Sequence, residues 1–116
     1  MLRTAAPAAT LLALLVAACG GTGAYDVCRA NCGAAENCGY RNDTQTASCY
    51  SVCDANKPLY DQQDSGLALQ CKNADELRRQ QLACYTKTPC GANVSEYTQA
   101  TSKCIASPAA TTCVRN

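Results

Sequence analysis

An all-α, disulfide-stapled domain is the fold class this sequence predicts. Three observations point to it. Cysteine fills eleven of 116 positions, a density typical of small cross-linked scaffolds. Cysteines recur at the i, i+4 spacing of a helix face. Valine, isoleucine and aromatic residues alternate nowhere, so a strand signature is missing. The expected domain covers residues 25–116 and holds about four helices arranged as two helical hairpins. The chain has no Phe, Trp or His. Its larger apolar side chains come down to a few leucines, Ile105, some valines and six tyrosines. Burial alone supports so thin a core poorly, and covalent cross-links substitute for it.

Taken in order, the first helix is expected over residues 26–37, with Cys28, Cys32 and Ala35 on one stripe. The second starts at Asp43 or Thr44 and ends before Pro58, with Cys49, Val52, Cys53 and Asn56 inward at i, i+3, i+4, i+7. Residues 58–66 are polar and turn-rich and are expected to link two halves. Asn73-Ala74-Asp75-Glu76 matches a capping box and marks a third helix carrying Leu77, Leu82, Cys84 and Tyr85. An earlier start near Gly66, with a kink at Asn73, is the variant. Asn93-Val94-Ser95-Glu96 opens the fourth helix, with Val94, Tyr97, Ala100 and Cys104 inward. Pro108 stops it, and residues 109–116 are expected to be irregular.

The two halves look like weak repeats. Cys32 and Cys38-Gly39 are spaced as Cys84 and Cys90-Gly91 are, and each block leads to a helix bearing a cysteine, Cys49 or Cys104. Cys28-Arg-Ala-Asn-Cys32 and Cys49-Tyr-Ser-Val-Cys53 place two cysteines on one face of each helix. Antiparallel packing aligns the inner couple, Cys32 with Cys49, and the outer couple, Cys28 with Cys53. The same logic couples Cys84 with Cys104. Spacing leaves the remaining four open; Cys71 with Cys113 and Cys38 with Cys90 is the pseudo-symmetric solution. The span 28–53 resembles the twin CX3C hairpin of α-hairpinin peptides and small mitochondrial import chaperones. That resemblance implies the hairpin geometry and no activity.

Ahead of the domain, Arg3 and the apolar run of residues 10–16 make a signal peptide of residues 1–18. The run is shorter than the ~20 residues of a membrane span. Cys19 follows Val16-Ala17-Ala18 and precedes Gly20, which resembles a bacterial lipobox. The resemblance implies cleavage before Cys19, diacylglycerol on its sulfur, further acylation such as palmitate, and sorting to the outer membrane. Residues 19–24 would form the lipidated N-terminus and tether. Setting Cys19 aside leaves an even ten cysteines out of eleven. Plain secretory cleavage is the rival and leaves an odd thiol. Overall the chain is similar to small cysteine-rich lipoproteins of the kind found in myxobacteria, a resemblance that implies no defined activity.

Composition excludes several chemistries. Lys and Arg number ten against nine Asp and Glu; without Arg3 the two are equal, so no basic footprint for nucleic acid exists. Without histidine, Ser-His-Asp and Cys-His schemes fall away. No C-x2-C pair supports zinc or redox exchange, so no metal and no cofactor is expected. Asp54, Asp61 and Asp64 are read as solubilising a linker rather than as a hydrolytic carboxylate pair. Arg78-Arg79 is read as a solvated helix face. Tyr50, Tyr85 and Tyr97 are expected at helix interfaces, and Tyr40 and Tyr60 in exposed turns. The sequons at Asn42 and Asn93 are read as helix caps. The resulting expectation is a non-enzymatic binding or structural module of the cell envelope, held to the membrane by N-terminal lipid and facing an envelope protein partner. The alternative is a secreted inhibitor or toxin-like effector presenting residues 58–66 as its loop.

Overall fold

A computed structural model describes residues 22–116; the expected signal peptide and Cys19 lie outside the described residues. Six helices follow one another: α1 Ala24–Asn37, α2 Asp43–Ala55, α3 Lys57–Gln70, α4 Ala74–Thr86, α5 Val94–Ile105 and the single turn α6 Pro108–Thr111. The β pairing among the described residues is one isolated antiparallel bridge between Cys71 and Arg115. The fold is therefore a small, all-α, disulfide-rich domain. None of the described helices is long and apolar enough to cross a membrane.

Helix α1 is the hub, packing on α2, α3 and α4. It begins at Ala24, which is buried, so the tether expected through residue 24 ends earlier, at Gly23. The Gly23 N–H donates to the Asp26 carboxylate at 2.9 Å, and an acidic group there suits the positive end of the helix dipole. The chain leaves α1 through Gly39, whose φ of 78° lies in the left-handed region that glycine enters without penalty. Asn42 then caps α2 reciprocally. Its side chain accepts from the Gln45 N–H at 2.8 Å, and the Gln45 side chain accepts from the Asn42 N–H at 2.9 Å. This closes the first hairpin.

The second hairpin repeats the device. Gly91 has φ of 74°, and Asn93 accepts from the Glu96 N–H at 2.9 Å. The reciprocal half of this box differs from expectation, because the Glu96 carboxylate takes the Ala92 N–H instead. Helices α4 and α5 pack together as α1 and α2 do, and α4 lies against α1.

Two expectations are corrected between the hairpins. Residues 58–66 are not a linker but the body of α3. Pro58 stands in the first turn of that helix, where its missing N–H costs nothing and its fixed φ already suits the helix. The segment was polar because α3 buries no residue fully, so it carries no apolar stripe to betray its period. Asn73 precedes α4 but makes no side-chain cap. Its amide instead donates to Thr112 O at 2.8 Å, and its carbonyl accepts from the Val114 N–H at 2.8 Å. Those bonds pin the C-terminal segment, which is not irregular throughout, since α6 occupies Pro108–Thr111.

Half-cystines make up nearly half of the buried apolar residues among the described ones. They are four of the nine (Cys32, Cys53, Cys71 and Cys84), and Leu77 and Tyr97 are the only large ones besides. Cys32 Sγ lies 3.7 Å from Cys53 Sγ, so the two disulfides of the first hairpin stack against each other. On α2 the buried partner of the cysteines is Thr46, whereas Val52 points outward and is more than half exposed. On α5 the buried stripe is Tyr97 and Thr101, with Val94 and Ala100 exposed. Both threonine hydroxyls bond the carbonyl four residues back, Asn42 and Tyr97 respectively, which makes them acceptable indoors.

Leu77 is 3 % exposed and Leu69 is 80 % exposed. Leu77→Ala is expected to destabilise the oxidised protein by about 3 kcal/mol, and Leu69→Ala by less than about 0.5 kcal/mol. Urea unfolding of the two variants measures this, and equal losses would contradict the packing described.

Candidate functional site

The structure brings every coupled cysteine to bonding distance. Cys28–Cys53 and Cys32–Cys49 join α1 to α2, with Cα atoms 5.9 and 5.7 Å apart. Cys84–Cys104 joins α4 to α5, at 5.6 Å. Cys38–Cys90 clips the two glycine turns together across a sequence separation of 52, and Cys71–Cys113 ties the C-terminal segment to the end of α3. These bonds fix the surfaces on which any function rests. Cys19, the expected lipid site, lies outside the described residues.

At the N-terminal end of α1, against α3 and α4, opens a cleft of about 500 Å³ bordered by Tyr25, Asp26, Lys57, Asp61, Asp64 and Arg78. Three of its acids, Asp26, Asp61 and Asp64, are occupied within the fold. The Asp64 carboxylate accepts from the Ala24 N–H at 3.1 Å and from Arg78 Nε at 2.8 Å. A Cβ on Gly23 would stand 2.5 Å from Asp64 Oδ2, so a larger residue there would displace the carboxylate from its partners. Asp61 takes Lys57 Nζ at 3.0 Å, an i, i+4 pair that holds the Lys57 ammonium above its ordinary pKa. Of the acids read as solubilising a linker, Asp64 fastens α3 to α1 and α4, while Asp61 pairs within α3 itself. Arg78 is likewise not a solvated residue, since its side chain is 16 % exposed. Arg79 is solvated and pairs with Glu76, whose carboxyl the Gln80 amide and Arg79 hold below its usual range.

Beside the cleft, Asp54 binds the Tyr25 hydroxyl and Arg29 Nη1, the latter at 3.2 Å. The hydrogen bond to Asp54 pushes the Tyr25 phenol above its ordinary pKa. The Arg29 guanidinium carbon sits 4.1 Å from the Tyr50 ring centroid and 5.7 Å from that of Tyr25, a stacked cation–π arrangement. Asp54 therefore does not pair with Asp61 or Asp64 as hydrolytic carboxylates would. Among the described residues no group of three or more metal-ligating side chains converges.

A second hollow, of about 290 Å³, lies across the two halves. Tyr40, Arg41, Tyr85, Tyr97, Thr98 and Thr101 border it, with α1 forming another wall. The Tyr40 and Tyr97 rings meet at a centroid distance of 5.7 Å and a tilt of 49°. The Tyr40 hydroxyl donates to Cys90 O, and the Tyr97 hydroxyl donates to Tyr85 O at 3.2 Å. Burial pushes the Tyr85 and Tyr97 phenols above the ordinary tyrosine pKa. Tyr97 is buried and Tyr50 and Tyr85 half-buried, as interface residues should be. Tyr40 and Tyr60, expected in exposed turns, are also half-buried. The Cys38–Cys90 clip folds the Tyr40 turn onto α5, and Tyr60 belongs to α3, with its hydroxyl 3.5 Å from Cys28 Sγ. Sequence reasoning passed over Arg41, and nothing in the spacing marked it: only the clip between the turns carries it to this hollow.

Asp64→Ala is expected to remove both the α1 cap and the Arg78 ion pair, at a cost of about 2 kcal/mol in urea unfolding; Asp61→Ala, at an exposed pair, is expected to cost under about 0.5 kcal/mol. Because the folded chain holds the Tyr85 and Tyr97 protons to higher pH than the unfolded chain, their contribution is complete below about pH 10 and is lost as pH rises through the raised values. Unfolding midpoints between about pH 9 and pH 11 should fall less in Tyr85→Phe than in the parent, since phenylalanine carries no proton to lose. Compared with known proteins, the chain matches no family model, no curated protein and no solved structure.

Proposed function

We propose that this protein is an exported, lipid-anchored, non-enzymatic binding module of the bacterial envelope. The observation that carries the reading is cysteine accounting. The chain has eleven cysteines, and the ten beyond Cys19 pair among themselves in five couples. The eleventh is the one placed behind an apolar run and ahead of glycines, where a lipobox cysteine belongs. Pervasive disulfides suit an oxidising compartment outside the cytosol. Covalent lipid at Cys19 supplies membrane attachment without a spanning helix, each buried methylene adding about 0.8 kcal/mol.

A binding role fits what the fold offers. It presents rigid helical walls, two hollows and stacked tyrosine and arginine side chains, the residue types that dominate recognition surfaces. No histidine is present for nucleophilic or general-base chemistry. For the alternative, a secreted inhibitor or toxin-like effector, residues 58–66 are no displayed loop, since α3 occupies them.

The test is the intact mass of the protein purified from membranes, alkylated with and without prior reduction. The expected result is a chain starting at Cys19 with diacylglyceryl and acyl mass, and ten alkylated thiols only after reduction. A chain starting elsewhere, without lipid, would overturn the anchor. Thiols labelled before reduction would overturn the disulfide scaffold.

A further inference from the structure

The hollow between the two halves contains the groups of a ligand site that the fold itself does not use. Ten residues border it, and Arg41 is the only charged one among them. Arg41 is half-buried and makes no ion pair among the described residues, unlike Arg29, Lys57, Arg78 and Arg79. The Tyr85 phenol is half-buried, and no hydrogen bond contributes to the raised pKa that its burial gives it. By contrast, the Tyr40 and Tyr97 hydroxyls are both committed to backbone carbonyls. Tyr97 is buried, so the half-buried Tyr40 supplies the aromatic surface of the hollow, and neither ring brings a free donor.

Arg41 and the Tyr85 phenol are donors, and Asn31, Thr98 and Ser102 set an amide and two hydroxyls beside them that can also donate. A guanidinium offers N–H groups in a planar fork and accepts nothing, and a protonated phenol donates. Such a pair favours a ligand end that only accepts and carries negative charge. The fork matches a carboxylate bidentately. A lone cation with no second basic residue in the lining suits one negative charge better than a phosphate dianion. The rest of the lining is mixed: Asn31, Ser102 and two threonines are polar, while Tyr40 and the exposed Val94 offer apolar contact to a small body. A volume of about 290 Å³ lies at the small end for ligand sites and excludes large occupants.

We propose that this hollow is a binding site for a small aromatic or apolar monocarboxylate, with Arg41 holding the carboxylate and the Tyr40 ring and Val94 holding the body. The site exists only across the two hairpins, so the Cys38–Cys90 clip assembles it. This inference deepens the binding-module reading and rests on it. It is independent of the lipid anchor, which the mass measurement tests separately.

Phenylacetate is the probe, with phenylacetamide as its neutral counterpart. The oxidised protein carries no tryptophan, so backbone amide NMR shifts provide a clear readout. Phenylacetate is expected to shift the Arg41, Tyr85 and Thr98 amides saturably, while phenylacetamide binds at least about tenfold more weakly. Arg41→Gln is expected to weaken phenylacetate about tenfold and Arg41→Lys by less, with the disulfide map unchanged. Equal binding of acid and amide, or an unaffected Arg41→Gln variant, would overturn the role of Arg41. No saturable shift at these amides up to about 10 mM would overturn the site itself. Shifts confined to the Asp61 and Asp64 cleft would do so as well.

Discussion

Cys32, Cys53 and Cys84 are the largest fully buried side chains of the described chain, so covalent bonds stand where a larger domain would place leucine and phenylalanine. In the chain-entropy picture, loops closing over 17 to 52 residues each remove about 3–4 kcal/mol of freedom from the unfolded state. The stacked bonds between α1 and α2 make the first hairpin one rigid piece. The remaining helices are then arranged on that piece, with α3 and α4 laid against α1. The polar contacts at its start, Asp64 to Ala24 and to Arg78, set the angle at which they lie.

The features legible in the sequence were those encoded by local chemistry. Cysteines four apart on each of two helices admit one antiparallel alignment, and Gly39 and Gly91 mark turns because their conformation excludes other residues. Asn42 and Asn93 signalled helix starts because a capping side chain needs only its own neighbours. The illegible features were those settled by tertiary partners. Asn73 carried the same local signal as the true caps, yet residues forty positions away claimed its amide. Helix α3 escaped notice because it fully buries none of its residues and thus has no apolar period. Asp64 and Arg78 looked like solvated charges, since nothing near them in sequence announces that they meet. For Arg41, the decisive neighbour is a disulfide between two other residues.

The likeness between the halves has a limit that bears on the site. Counted from the caps Asn42 and Asn93, Cys104 on α5 matches Cys53 on α2 rather than Cys49, while Cys84 precedes Gly91 by as much as Cys32 precedes Gly39. The second hairpin is therefore paired one helical turn out of step with the first. In place of a second stacked disulfide, α5 carries Tyr97 and Thr101 on its buried stripe. The room that a second cross-link would have filled is taken by aromatic side chains, and the inter-half hollow opens beside them.

The order of the cross-links also dictates how the chain carries tension. A pull entering near Cys28 crosses directly to Cys53, and one leaving near Cys113 crosses directly to Cys71. The shortest covalent route between those bonds is the α3 segment, the one long helix here without a cysteine. The route through Cys38–Cys90 runs through more chain and stays slack until α3 has unwound. Under load α3 is thus the extensible element. It lengthens at about 2 Å per residue in passing from helix to extended chain, while both hairpins keep their shape. That makes α3 a compliant joint between two stiff bodies.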